Sequence, residues 1–338
     1  MTNTIARLED IAKATGFSKN TVSLALRESP RIPQITRELI QTVARELNYR
    51  PNHIAKALTN RETKTIGLVL ADITNPILTQ TSQALEKALM ARGYGTLFAT
   101  SNNSLAEEVD AIEMFQARQV DGMLIYPTRG QRNYEHILRL RRANFPVVML
   151  VPGQDAGIDM VSVDEKLGAY KAVRHLIDQG HTAIGTIDGN NPNGNREKFE
   201  GYFQALTEAG IAFRDEWQVD PVSHTPSAGY WAMDTLMNGA RPTAVFVAND
   251  YMALGALRWC QRHDLDVPRD MALIGFDNLD ISEFFATPLS SVNYEIELVT
   301  RMAVDRLMRL IGTVGTLPEP RVTLIEPELV LRDSTARR

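Results

Sequence analysis

The sequence predicts an all-α helix-turn-helix head at residues 1–50 and a larger α/β body at residues 62–338, joined by a short helix at residues 51–61. Apolar residues with helical spacing around a glycine turn predict the head. Alternation of β-branched runs with helical stretches predicts the body. The chain has 338 residues, 44% of them apolar, which suits about two to three domains with packed cores.

The two parts carry opposite charges, although the net charge of the chain is only −5. Residues 1–61 contain ten Lys or Arg and five Asp or Glu, whereas the remaining residues contain 26 and 36. A basic head on an acidic body favours a polyanionic partner for the head. On charge alone, a basic segment that is simply a solvated surface remains an alternative.

Composition and motifs exclude several classes of protein. Apolar runs such as Ile66–Ala71 are far shorter than the ~20 residues that cross a bilayer, and Met1–Arg7 leads into no apolar secretion signal. Cys260 is the only cysteine, which excludes internal disulfides and cysteine zinc clusters. The sequence contains no glycine-rich phosphate-binding motif, no G-x-S-x-G nucleophile motif and no H-E-x-x-H motif, and its six histidines do not have the spacing of metal ligands. We expect a cytoplasmic non-enzyme without metal, cofactor or membrane association.

Three short helices are predicted in the head. The first carries apolar residues at helical spacing and ends at Gly16, and Ser18 is a good N-cap for a second helix that runs to about Leu26. A third is predicted from Thr36 to Leu47. The apolar faces of the three consist of Leu8, Ile11 and Ala12; Val22, Ala25 and Leu26; and Leu39, Ile40, Val43 and Leu47. This is the layout of a helix-turn-helix.

The residues of the head resemble the headpiece of the lactose-repressor (LacI) family. The resemblance covers the run Leu-Glu-Asp-Ile-Ala-Lys-Ala-Thr-Gly-Phe-Ser-Lys-Asn-Thr-Val-Ser at residues 8–23, Thr36-Arg37, and Leu-Asn-Tyr-Arg-Pro-Asn-His-Ile-Ala-Lys-Ala-Leu at residues 47–58. It implies a second helix in the DNA major groove, with Lys19 and Asn20 contacting bases. The implied phosphate anchors are Ser18, Thr21, Ser23, Thr36 and Asn52; for Ser18 and Thr36, a helix-capping role is the alternative.

The head departs from the family pattern at two positions. Most members have Arg where this chain has Leu24, and Asn where it has Arg27. We hypothesise that Leu24 contacts a thymine methyl group, with both residues on the DNA-facing side. The alternative is that Leu24 packs within the head.

The segment Pro51–Leu58 resembles the hinge helix of the family. About eight residues are too few to be helical alone in water, so we expect this helix to form on DNA. The resemblance implies paired hinge helices in the minor groove of a dimer, where an apolar side chain wedges between base steps. The implied contacts are Asn52, His53, Ala55 and Leu58. An ordinary linker helix is the alternative.

Eight apolar, β-branched runs predict the strands of a parallel sheet architecture in the body. They are Ile66–Ala71, Thr96–Thr100, Gly122–Tyr126, Val147–Val151, Val161–Val163, Ala183–Ile187, Ala244–Ala248 and Ala272–Phe276. Helical stretches such as Leu78–Arg92 and Ala106–Arg118 separate most of them. Ligands of such folds bind at the carboxyl ends of strands, where this chain has polar residues.

The body resembles the effector domain of the same family, which is similar to periplasmic sugar-binding proteins (type I). The matching pieces include Asp72-Ile-Thr-Asn-Pro76, Pro242-Thr-Ala-Val-Phe-Val-Ala-Asn-Asp250 and Ile274-Gly-Phe-Asp277. The resemblance implies two lobes with the effector between them: an N-lobe at about 62–163 and 291–322, and a C-lobe at about 164–290 and 323–338. Three crossovers are implied at roughly 163–166, 289–292 and 321–324.

Polar residues at positions that match the family cleft are candidate effector ligands. Asp and Asn accept hydrogen bonds from hydroxyls while Lys or Arg donates, which suits a polyol or a sugar acid. The candidates are Asp72, Asn75, Ile77, Asp164, Arg196, Lys198, His224, Asn249 and Asp277. For Asp164 and Asp277, a structural cap or turn is the alternative. Ile77 makes one wall aliphatic; His224 and Trp231 are candidate aromatic surface, although a buried structural role is favoured for Trp231.

These observations together predict a transcriptional regulator, commonly a repressor in this family, that binds a palindromic operator as a homodimer under the control of a small metabolite. The predicted dimer surface includes the helix near Leu78–Met90 and the segment after Asp277. Some family members form tetramers through a C-terminal heptad tail; no heptads follow Leu331, so we expect a dimer. A solute-binding receptor for transport or chemotaxis is the alternative. The attached head and the absence of a secretion signal favour the regulator.

The hypothesis for Leu24 predicts a change of DNA sequence preference. Leu24→Arg should shift the preferred base at one position of each half-site, because an arginine can donate two hydrogen bonds to guanine whereas leucine cannot. Selection of binding sites from random duplexes by both proteins measures the preference. Identical selected sequences would contradict the hypothesis.

Overall fold

The computed structural model describes residues 6–49, 62–128, 134–151, 157–187, 195–221, 223–239 and 241–336. The chain divides into two compact units, Met1–Thr63 and Lys64–Arg338. Each unit is described by itself.

The first unit contains three helices around a small apolar core. They are α1 (Leu8–Thr15), α2 (Lys19–Leu26) and α3 (Gln34–Glu46). Gly16 ends α1 with a φ of 73°, a left-handed conformation that glycine adopts without strain. The core consists of Ile11, Val22, Ala25, Ile32, Ile40 and Ala44. The predicted three-helix layout is confirmed.

The third helix differs from its prediction at its start and on its apolar face. It begins at Gln34 rather than Thr36, because Pro33 occupies the N-cap position and fixes the backbone just before it. Leu39 is exposed because it lies about 100° around the helix from the buried Ile40. Leu47, also predicted on that face, is exposed because it follows the last helical residue.

The second unit alternates strands and helices. In chain order these are β1 (Thr65–Leu70), α4 (Pro76–Met90), β2 (Gly95–Thr100), α5 (Leu105–Ala117), β3 (Gly122–Ile125), α6 (Glu135–Arg142), β4 (Val147–Met149), β5 (Asp159–Val163), α7 (Glu165–Asp178), β6 (Ile184–Ile187), α8 (Arg196–Glu208), β7 (Gln218–Val219), α9 (Pro226–Gly239), β8 (Ala244–Val247), α10 (Asp250–Arg262), β9 (Ala272–Asp277), β10 (Ser290–Asn293), α11 (Ile296–Ile311), β11 (Val322–Ile325) and β12 (Leu329–Val330). All eight predicted strands are present.

These strands form two six-stranded sheets. The first has the order β11-β5-β4-β3-β1-β2 and is parallel throughout; the second has the order β12-β10-β9-β8-β6-β7, with only β12 antiparallel. The buried strands are almost entirely apolar, because helices cover a parallel sheet on both faces. The two sheets define the N-lobe and the C-lobe.

The chain crosses between the lobes three times, and two crossings lie a few residues later than predicted. The first follows β5. The second follows Asn293, because β10 pairs with β9 and so completes the C-lobe sheet before the chain leaves it. The third lies between Ile325 and Leu329, because β11 still pairs with β5 in the N-lobe.

No helix within the described ranges is long and apolar enough to span a bilayer.

Helices α9 and α10 touch each other through their backbones. A Cβ atom added at Gly255 would lie 1.8 Å from the carbonyl oxygen of Pro226, and one at Gly229 would lie 2.1 Å from that of Met252. Both distances are far inside van der Waals contact, so this crossing requires glycine on both helices. The crossing fixes the start of α10, which lies at the carboxyl edge of the C-lobe sheet.

This crossing predicts a strong effect of one added methyl group. Gly255→Ala should lower the free energy of unfolding by about 3 kcal/mol, because the backbones must move apart. Gly239→Ala is the matched control, since a Cβ at Gly239 has nothing within 4 Å; it should change stability by no more than about 1 kcal/mol. Denaturant melts of the three proteins measure both effects, and equal stability of Gly255→Ala and the wild type would contradict the packing.

Candidate effector cleft and DNA-reading head

The candidate DNA-contacting residues of the head gather on and beside α2. Lys19 and Asn20 are exposed in its first turn, Thr21 and Ser23 are half-buried, and Arg27 is exposed at its C-cap. The Lys19 ammonium contacts the Glu9 carboxylate, and this hydrogen bond and charge hold the pKa of Glu9 below its usual value. The surface of α2 therefore presents a cation and an amide to solvent, both able to contact base edges.

The capping alternatives for Ser18 and Thr36 have different outcomes. Ser18 Oγ accepts a hydrogen bond from the backbone N–H of Thr21 at 3.1 Å and caps α2, as the sequence predicts. Thr36 lies two residues inside α3 and is not its cap.

Leu24 is half-buried and packs against the apolar core of the head, and the proposed thymine contact stays a prediction. The hinge candidates Asn52, His53, Ala55 and Leu58 lie outside the described residues.

In the second unit, polar residues from both lobes line one cleft of about 680 Å³, which includes solvent at its mouth. Most of these residues sit at or within a few residues of the carboxyl ends of parallel strands. The cleft is lined by Ala71, Asp72, Asn75, Ile77, Leu78, Asn103, Tyr126, Pro127, Val151, Glu165, Lys198, His224, Asn249, Asp277 and Tyr294. Such a crevice is where ligands of open α/β sheets bind.

Lys198 is the only lysine or arginine among the described residues that line the cleft. Only 4% of the residue is exposed, and its Nζ donates to the carbonyl oxygen of Ala248 at 2.8 Å. The ammonium also lies 3.8 Å from Glu165 Oε1 and 3.7 Å from the centre of the Phe276 ring. These contacts compensate the buried charge, and they take up much of the hydrogen-bonding capacity of the ammonium.

Two polar side chains at the ends of C-lobe strands, those of Asn249 and Asp277, line the cleft. Asn249 caps α10, with Oδ1 accepting from the Met252 N–H at 2.7 Å, which leaves its amide nitrogen as a donor. Asp277 is buried at the end of β9 with a φ of 113°, followed by Asn278 at 51°. Two consecutive non-glycine residues with positive φ are strained, which the surrounding hydrogen bonds must compensate.

Two buried tyrosines, one after β3 and the other after β10, complete the described lining. Burial and, to a smaller extent, the nearby Glu165 and Asp277 carboxylates raise the pKa of Tyr126 to about 12. Burial likewise raises the pKa of Tyr294 well above its usual value. Both hydroxyls therefore stay protonated at neutral pH and can donate hydrogen bonds. On the N-lobe side, Ile77 and Leu78 form an aliphatic wall.

The cleft brings together seven of the nine residues predicted from the sequence. Asp164 does not line it, because its Oδ1 caps α7 by accepting from the Leu167 N–H at 2.9 Å. Arg196 is exposed and pairs with Glu200 at 2.9 Å. It faces away from the cleft because residues two apart on a helix point in nearly opposite directions, and Lys198 occupies the inward position.

Trp231 is also placed differently from its prediction. It is 65% exposed and packs edge-to-face on Tyr230, whereas the buried face of α9 carries Gly229, Ala232, Met233 and Leu236.

Three residues that line the cleft were not among the candidates from the sequence: Tyr126, Glu165 and Tyr294. The available signal was a position at or two residues after the end of a predicted strand for Tyr126 and Glu165. Tyr294 follows β10, which the sequence did not predict.

Asp250 is fully buried beneath the cleft and accepts three hydrogen bonds, from the N–H of Leu279 and the hydroxyls of Ser282 and Ser291. Burial raises its pKa to about 6, although these hydrogen bonds oppose the shift. The carboxylate is thus the form present at neutral pH, held by three donors.

Comparisons with known proteins identify both units. The family model for bacterial regulatory proteins of the lacI family matches residues 7–52, and a periplasmic binding protein-like domain matches residues 173–335. The HTH-type transcriptional repressor PurR of Erwinia tasmaniensis is 32% identical, with 98% of this chain and 97% of the relative covered. The chain belongs to the lacI family.

Further relatives of this lacI-family protein agree. PurR of Proteus mirabilis is also 32% identical, over 98% of this chain and 97% of the relative. A lac repressor dimer bound to operator and the anti-inducer ONPF shares the fold, with a TM-score of 0.88 at 24% identity, covering 99% of this chain and 100% of the other. The regulator CelR in complex with cellobiose has a TM-score of 0.71 at 28% identity, covering 97% and 99%. The two PurR relatives are transcriptional repressors rather than enzymes.

The raised pKa of Asp250 predicts how its contribution to stability changes with pH. Between its ordinary value of 3.8 and about 6, the folded state binds a proton that the unfolded state has lost, so stability falls as pH rises through this window. Relative to Asp250→Asn, which does not titrate, the wild type should lose up to about 3 kcal/mol from pH ~4 to ~7. Urea melts of both proteins across this range measure the difference, and a constant difference would contradict the assignment.

Proposed function

We propose that this protein is a repressor that binds a palindromic operator as a homodimer, and that a small uncharged metabolite in the cleft controls its DNA affinity. The observation that carries the proposal is the presence, in one chain, of an exposed reading helix and of a cleft lined by both lobes. A solute-binding receptor would account for the cleft but not for the head.

The DNA-binding part of the proposal rests on α2. Its exposed Lys19 and Asn20 supply the donors and acceptors that discriminate bases in the major groove, and the hydroxyls beside them suit phosphate contacts. A single such helix spans only half a site. Two heads on a two-fold axis therefore require a palindromic operator.

Exposed apolar side chains support a homodimer. Phe98 lies on β2, an edge strand of the N-lobe sheet, and Met90 is at the end of α4. On the C-lobe, Ile281 and Phe284 are exposed in the short turn after Asp277, and 79% of Phe284 is accessible. Met90, Ile281 and Phe284 lie in the two segments predicted from the sequence, whereas Phe98 lies outside them. A second copy would remove this apolar area from water.

The charges in the cleft favour a ligand without negative charge. Asp72, Glu165 and Asp277 contribute three carboxylates to the described lining, against one buried ammonium that protein groups already contact. Arg196, the other basic candidate from the sequence, is exposed and pairs with Glu200 instead. Hydroxyl groups can donate to the carboxylates and accept from the tyrosines and Asn249, so a neutral sugar or polyol fits best.

The structure also offers a route for control. Because both lobes line the cleft, a ligand that contacts both favours one arrangement of the lobes over another. The change in operator binding free energy cannot then exceed the difference in ligand binding free energy between the two arrangements, and such couplings are typically about 1–3 kcal/mol.

Site selection from random duplexes, followed by binding at several salt concentrations, tests the DNA-binding proposal. We expect a palindromic consensus and an affinity that falls by about 10³–10⁵ between 50 and 200 mM salt, if about 6–10 phosphates are contacted. Lys19→Ala should alter the selected sequence because it removes a base contact. Lys13→Ala, which removes an equal charge from α1, should leave the sequence unchanged.

Absence of any preferred duplex for the wild type would contradict the proposal. Equal effects of Lys19→Ala and Lys13→Ala on the selected sequence would contradict the assignment of α2 as the reading helix.

A further inference from the structure

Asp250 occupies a central position in the C-lobe, although it is not a lining residue of the cleft. It follows Asn249 directly and is the first residue of α10, with no exposed surface. Its two carboxylate oxygens bind different parts of the chain. Oδ1 accepts from Ser291 Oγ at 2.6 Å, and Oδ2 accepts from the Leu279 N–H at 2.9 Å and from Ser282 Oγ at 2.7 Å.

The Oδ1 side holds the loop that presents Asp277 to the cleft. Ser291 Oγ donates to Asp250 and accepts from the Asn278 N–H at 3.0 Å, so the carboxylate fixes the backbone directly after Asp277. This is the stretch with two positive φ values, 113° and 51°. A strained backbone persists only where surrounding contacts overdetermine it. Asp250 contributes here through Ser291, and the Asn278 side chain adds hydrogen bonds with Arg332 and Asn293.

The Oδ2 side holds the apolar turn, which we define as Asp280–Phe284. The turn is closed by hydrogen bonds from the Ser282 N–H to the Leu279 carbonyl at 2.8 Å and from the Leu289 N–H to the Ser282 carbonyl at 3.0 Å. Ser282 is buried while Ile281 and Phe284 on either side are exposed. The buried serine therefore orients the two apolar side chains outward.

We propose that Asp250 is a positioning residue that fixes the apolar turn for contact with a second copy of this chain and ties that turn to the cleft residues Asn249 and Asp277. The inference rests on the proposed dimer. Because Leu279 and Ser282 share one oxygen of a carboxylate whose other oxygen holds the Asp277 loop, a shift of that loop on ligand binding is passed to the apolar turn. Charge-assisted hydrogen bonds are short and directional, which suits this role.

Three variants separate the two sides of the carboxylate. Ser282→Ala removes only the contact to the apolar turn, Ser291→Ala removes only the contact to the Asp277 loop, and Asp250→Asn replaces one acceptor oxygen with a donor and so weakens both. Ser162→Ala is the matched control, because Ser162 is a fully buried serine of the N-lobe sheet whose hydroxyl has no hydrogen-bond partner among the described residues.

Hydrogen exchange by mass spectrometry and sedimentation equilibrium of the full chain give the readouts. Asp250→Asn should accelerate exchange both at residues 278–279 and in the apolar turn. Ser282→Ala should accelerate it only in the turn, and Ser291→Ala only at residue 278. Asp250→Asn and Ser282→Ala should raise the dimer Kd by about tenfold or more, and Ser162→Ala by less than about twofold.

Two results would overturn the inference while the proposed dimer stands. One is a dimer Kd in Ser282→Ala within about twofold of the wild type; the other is unchanged exchange at residue 278 in Ser291→Ala. These two variants decide the matter even if Asp250→Asn fails to fold. A wild type that is monomeric at all concentrations would instead overturn both the proposed homodimer and the inference that depends on it.

Discussion

Parallel strand pairing is the constraint on which the rest of the second unit depends. All strands except β12 run in one direction within their sheet, so the residues that follow these strands collect at one edge of each sheet. Asp72, Tyr126 and Glu165 reach the cleft from the N-lobe sheet in this way, and Asn249, Asp277 and Tyr294 reach it from the C-lobe sheet. The cleft is therefore a product of topology, and its chemistry is decided by the few residues at strand ends.

The same edge concentrates buried charge, which would be costly without partners. Lys198 is compensated by a carbonyl, a carboxylate and an aromatic face, and Asp250 by three donors. These groups therefore serve as fixed supports beneath the ligand site. The rigid crossing of α9 and α10 through Gly229 and Gly255 holds the helix that carries both Asn249 and Asp250.

Much of the fold could be predicted from the sequence because its signals are local. All eight strands predicted from apolar β-branched runs are present in the structure. Strands β7, β10, β11 and β12 were not predicted, because they are short or contain polar residues. The late crossovers have the same cause, since β10 and β11 complete their sheets unseen. In the head, the serine N-cap and the glycine stop were sufficient to place α1 and α2.

The cleft was predicted less completely because its membership depends on rotation about helices and on competition for hydrogen bonds. The Asp164 carboxylate caps the N-terminus of α7 through a hydrogen bond from the Leu167 N–H, and the adjacent Glu165 lines the cleft instead. Arg196 and Lys198 are both basic and two residues apart, and only the tertiary packing determines which one faces inward. Trp231 has the composition of a core residue but lies on the outer face of α9.

The central claim is that occupancy of the cleft changes the affinity of the head for DNA. The most direct measurement is the operator Kd in the presence of neutral sugars and of the aldonate derived from each one. The account predicts that at least one neutral sugar changes the Kd by about 5–150-fold, and that its aldonate has a much weaker effect. A Kd that no sugar alters, or that responds only to the aldonates, would contradict it.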